Sequence, residues 1–153
     1  MSGVEIIIHV TGHGWANLEF NIADRRFVAE GISNTSDAIG DLLRSAIMIA
    51  TGAPNAAISF DREPTEWRLV LRSLLDVATG LGPVQIRLLE FPDVYAAQAD
   101  AEGTEVFKAD CPALDFSRAV LEMANRASDL ASFNGGDFSA AFRSLKAALE
   151  DCE

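Results

Sequence analysis

A chain of 153 residues with 23 Asp and Glu against 12 Lys and Arg carries a formal charge of -11. Such an excess opposes phosphate backbones and anionic lipid, which argues against nucleic-acid and membrane partners and in favour of a basic protein. At this length roughly 68–70% of the unfolded surface can be buried, so residues 1–153 are expected to form one domain without a metal or disulfide staple.

Hydrophobic residues make up 49% of the chain, and its mean hydropathy is slightly positive. A subunit interface would absorb that excess, so a homodimer is among the expectations. Cys111 and Cys152 have no CxxC context and read as reduced thiols. The opening Met1-Ser2-Gly3-Val4-Glu5 carries an acid where a signal peptide has basic residues, and no run approaches the roughly 20 apolar residues of a membrane span. A bacterial-type cytoplasm is the expected location.

In chain order, Val4, Ile6, Ile8 and Val10 repeat every second residue and predict a strand buried on one face. After Gly12-His13-Gly14, Ala16, Leu18, Phe20 and Ile22 alternate with polar neighbours in a second strand, and Arg25 to Ile32 completes a meander. Asp37 can cap a helix whose stripe is Ile39, Leu42, Leu43, Ala46, Ile47 and Ala50, with Gly52 at the position where positive φ ends a helix. Ala56 to Asp61 and Glu66 to Arg72 flank the Arg62-Glu63-Pro64-Thr65 turn of a hairpin. Val84 to Phe91 and Thr104 to Ala109 read as further strands, with Pro92 to Gly103 an exposed loop between them. Two helices follow. One starts near Pro112 and runs through Phe116, Val120, Met123, Ala127 and Leu130 to a stop at Asn134-Gly135-Gly136; the other is capped by Asp137 and carries Phe138, Phe142, Leu145 and Leu149. The order meander, helix, meander, two helices predicts an α+β domain with about six or seven mainly antiparallel strands and the helices packed on them.

Few residues offer chemistry. Gly12-His13-Gly14 lacks the third glycine and the following helix of a dinucleotide site, so no cofactor is expected. His9 and His13, four apart on one strand, would be separated by about 13 Å, too far to share a metal, and no metal site is assigned. Cys111 precedes a helix start that could lower its pKa, but nothing links a histidine to it, and a buried inert thiol is the expected state. Asp61, Glu63 and Glu66 lie among Arg62, Arg68 and Arg72, as cross-strand ion pairs on a solvated hairpin would. The remaining feature is an acidic stretch, Asp93, Asp100, Glu102, Glu105 and Asp110, offset only by Lys108. Asp93, Asp100, Glu102 and Glu105 are therefore the candidate partner-binding residues, with Trp15 as an aromatic anchor on a polar strand face.

The segment Phe60-Asp61-Arg62-Glu63-Pro64-Thr65-Glu66-Trp67, with the apolar helix before it, resembles a pattern in small uncharacterised bacterial α+β proteins that have an acid-Pro-x-acid hairpin. In size, charge and layout such proteins are similar to immunity proteins of bacterial toxin systems. The resemblance spans about Ser36 to Phe91 and, more weakly, the last helix, and leaves the opening meander uncovered. It implies a non-enzymatic protein-binding module that would meet a basic partner through the acidic loop. The alternative is a small-ligand domain or enzyme with a pocket between sheet and first helix, served by His9 or His13.

Overall fold

A computed structural model describes residues 3–34, 37–62, 65–74, 82–92, 98–126 and 137–152. Its architecture is α+β, as the order of elements predicts. The strands are β1 (Val4–Gly12), β2 (Trp15–Ile22), β3 (Arg25–Ser33), β4 (Asn55–Asp61), β5 (Glu66–Ser73), β6 (Pro83–Phe91) and β7 (Thr104–Pro112). The described helices are α1 (Ala38–Ala50) between β3 and β4, α2 (Ala113–Arg126) and α3 (Ser139–Asp151). The Pro64 turn, residues Ala127 to Gly136 and Asp93 lie outside the described residues.

The strands form two antiparallel sheets, ordered β1-β2-β3 and β4-β5-β6-β7. The two sheets are linked at β3. A bulge interrupts β2–β3 pairing between Ala16 and Leu18, where the Asn17 side chain accepts from the Gly31 amide at 3.0 Å and Gly31 adopts φ 73°. Beside it the Trp67 indole N–H donates to the Glu30 carbonyl at 3.0 Å. A side chain of β5 thus takes a carbonyl of β3, and α1 follows β3 directly.

Period-two alternation puts Ile6, Ile8, Ala16, Leu18, Phe20 and Ile22 of the first sheet, and Trp67, Leu69, Leu71, Val84, Ile86 and Leu88 of the second, into one core with the helices. Phe20 and Phe27 meet Trp67 and Phe107 across the gap between sheets, with centroids 5.8–6.3 Å apart. Helix α1 packs on β4, α2 packs on β1 and α1, and α3 rests on α1 and α2.

Helix α1 begins and ends where its sequence says it should. The Asp37 carboxylate accepts from the Gly40 amide at 3.1 Å, and a Cβ at residue 40 would collide with that carboxylate. At the other end Gly52 takes φ 93°, and the Thr51 hydroxyl donates to the Ile47 carbonyl at 2.8 Å. The buried Ser117 hydroxyl donates to the Ala46 carbonyl at 2.8 Å and ties α2 to α1.

Candidate functional site

The acidic stretch occupies the connection from β6 to β7 and β7 itself. Strand β6 breaks period two: after Val84, Ile86 and Leu88, both Leu89 and Phe91 are also buried, on the face turned away from the core. The return segment Gln98 to Gly103 meets that second face. Gly103 lies so close to the Phe91 ring that a Cβ there would clash with it. Arg68 of β5, stacked on Phe91 at 4.1 Å, gathers the segment in. Its Nη1 donates to the Gln98 carbonyl and to Asp100 Oδ1, each at 2.8 Å, and its Nε donates to Glu66 Oε2 at 3.0 Å. Glu66 also accepts from the Ser59 hydroxyl at 2.6 Å. Burial works against the Arg68 charge, but the bonds to Asp100 and Glu66 more than offset it and hold its pKa above the usual value.

The solvated hairpin expected around these acids therefore needs correction at its centre. The Glu66 side chain is only 5% exposed and that of Arg68 14%, because the β6–β7 connection covers them. The sequence signal for this was the paired Leu88-Leu89 followed by Phe91, which leaves β6 apolar on both faces. Arg62 turns elsewhere, pairing with Glu90 at 2.8 Å and stacking on Trp67 at 4.7 Å.

The candidate binding residues separate into groups. Asp100 is held by Arg68, and Glu105 accepts from Arg87 Nε at 2.7 Å. Glu102 and Asp110 are exposed and carry no ion pair among the described residues. Asp93 lies outside the described residues. Trp15 is 41% exposed at the start of β2, paired with Gly12 and Ser33. The opposite end of β2, about 23 Å away at the rise of a strand, leads to Ala23 and Arg25, which share a pocket with Lys108, Ala109 and Asp110. Asp110 therefore lies toward the end of β2 opposite Trp15.

A second polar constellation lies on the outer face of the first sheet. Glu19 accepts from Asn21 Nδ2 at 2.7 Å and from Arg26 Nε at 3.2 Å, and its Oε1 lies 3.2 Å from His9 Nε2. Its pKa is held down at about 2, chiefly by the Arg26 hydrogen bond and then by Asn21, against a smaller opposing effect of burial. His9 thus faces away from the core, and His13 is exposed in the β1–β2 turn. Neither points toward α1, where Leu42, Leu43, Leu69 and Leu71 are wholly buried in a closed core. The pocket expected there is not built from these histidines.

Cys111 is buried, and burial first, then Asp115 and Asp110, pushes its thiol up to about 12. A thiol so held is protonated at neutral pH and a poor nucleophile. An open pocket of about 430 Å³ lies where β6 begins and α2 starts, lined by Pro83, Pro112, Leu114, Asp115 and Arg118 among others. Among the described residues, no group of three His, Cys, Asp or Glu side chains could hold a metal ion, and no helix is long and apolar enough to cross a membrane. No family model, curated protein or solved structure matches the chain.

Proposed function

We propose that this chain is a non-enzymatic, cytoplasmic protein-binding module, immunity-like in its action, which occupies a basic protein through the acidic edge formed by residues 100–110. The observation that carries this reading is the support under that edge. Arg68 fixes the backbone at Gln98 and the side chain of Asp100, so Glu102 is presented from an ordered turn, and Asp110 follows on a paired strand. An acidic surface ordered before encounter saves entropy on binding and steers a basic partner toward it.

This geometry selects the test. Reversing Asp100 would also release the Arg68 anchor, so the informative variant is Glu102→Lys with Asp110→Lys. In low-salt capture from native lysate, the wild-type chain is expected to retain a basic protein that elutes as salt rises, and the doubly reversed chain at least tenfold less of it. Equal capture by both would refute the reading. A homodimer is the second reading, favoured by the 49% share of hydrophobic residues in the chain.

A further inference from the structure

Strand β7 pairs with β6 on one side, and among the described residues no strand lies on its other. Which of its backbone groups face that open side follows from two prolines. Pro83 and Pro112 stand opposite each other in the β6–β7 register, and since neither has an N–H they cannot exchange hydrogen bonds. The Pro83 carbonyl instead accepts from the Leu74 amide at 2.8 Å, on the side of β5. Bonded and non-bonded pairs alternate along an antiparallel ladder, so Cys111, Ala109 and Phe107 bond to β6, while Asp110 and Lys108 turn their N–H and C=O groups outward. Among the described residues no group bonds to either of them from that side. A groove of about 250 Å³, walled by Lys108, Ala109 and Asp110 and by Ala23 and Arg25 where β2 turns into β3, keeps this edge open to solvent.

An edge of this kind accepts any extended chain of suitable phase, and the side chains here select one. Laid antiparallel on a second copy of itself about Ala109, β7 sets Lys108 against Asp110 of the copy and Asp110 against its Lys108. Both side chains are exposed and carry no ion pair among the described residues. Their backbone groups face outward, so each such pair also exchanges both hydrogen bonds. Phe107 then meets Cys111 on the inner face and Val106 meets Pro112 on the outer face, while Ala109 falls on the two-fold axis, where its methyl suits the closer approach of a non-bonded pair. An axis at Lys108 or Asp110 would put like charges directly opposite, and one at Phe107 would leave Lys108 facing Val106 and Asp110 facing Thr104. Length is limited as well. Pro112 has no N–H to extend the ladder and α2 begins at Ala113, while beyond Phe107 the register of β7 shifts at a bulge. The pairing is short, self-complementary and closed at two copies.

We propose that β7 is a self-association edge, on which a second copy of this chain pairs antiparallel about Ala109 with Lys108 and Asp110 matched between the copies. This gives the homodimer a surface and does not rest on capture of a basic protein, so each proposal can fail alone. Sedimentation of the purified chain from micromolar to millimolar concentration should carry the wild type from 16.4 kDa toward twice that mass. Lys108→Asp alone and Asp110→Lys alone each set like charges opposite one another and should weaken the dimer at least tenfold. Mixing the two variants restores both pairs, so the mixture should form a heterodimer at least tenfold tighter than either variant forms with itself. Amide exchange of the wild type serves even if a variant fails to fold. As concentration rises the Lys108 and Asp110 amides should exchange more slowly, while those of Phe107 and Ala109, already bonded to β6, should not change. Glu102→Lys, outside the paired residues, should leave the dimer constant within twofold even where it abolishes capture of a basic protein. A wild-type chain that stays at 16.4 kDa overturns the proposal. So does a mixture that associates no better than its components, growth past two copies, or concentration-dependent protection that spares Lys108 and Asp110.

Discussion

The outer faces of the two sheets each centre on a carboxylate held by an arginine, but they differ in what lies over them. Around Glu19 the first sheet faces solvent, and its network of His9, Asn21 and Arg26 is an open antiparallel face in the ordinary sense. Around Glu66 the second sheet is roofed by its own β6–β7 connection, so the same pair of residue types is largely desolvated. A roof changes what the pair does. In the first network His9 and Arg26, 52% and 65% exposed, can fall back on water, although Glu19 itself is 12% exposed; under the roof both partners are covered, and loss of one strands the other.

The largest effect should come from breaking the covered pair. Arg68→Ala leaves Glu66 buried without its cation and lets go of Gln98 and Asp100, and it is expected to lower stability by about 3 kcal/mol in urea unfolding. Adding Glu66→Gln should recover part of that loss, because a neutral amide is cheaper to bury. A loss below about 1 kcal/mol for Arg68→Ala would class the pair with surface pairs and remove the distinction between the faces.

A smaller effect, about 1–3 kcal/mol, is expected from Gly103→Ala, which forces the return segment off the Phe91 ring. Phe91→Leu in the same chain should be less damaging than the two single costs added together, since the smaller side chain makes room. Strict additivity in thermal unfolding would mean the segment does not rest on that ring.

On the open face the expected change is in titration. Glu19 has its pKa depressed from an ordinary 4.5 to about 2, so its ionised form is favoured by the fold. Its contribution is present above pH 4.5 and is lost as pH falls through about 2. Side-chain carbon NMR should show that low midpoint, and Arg26→Ala should move it back toward 4.5 by more than His9→Ala does, in the order of their hydrogen-bond effects. A midpoint indifferent to Arg26 would show that the network does not set the acid's charge.

Much of the fold was readable in advance. Alternation identified the core faces of β1, β2 and β5, and the Asp37 cap and Gly52 stop placed both ends of α1. The candidate site was readable only as composition. The acids at 100, 102 and 105 were visible, but their states were not: one is clamped, one free among the described residues, one paired with Arg87.

Local patterns fixed the elements because helix and strand periodicity, caps and turns act over a few neighbouring residues. Tertiary structure decided the rest: that the strands divide between two sheets, that β6 is covered on both faces, and that Arg68 lies under a roof while Arg26 lies open to water. Those outcomes depend on which distant segments come to lie against one another, and the charge state and strength of an ion pair follow from that burial rather than from the identity of its residues.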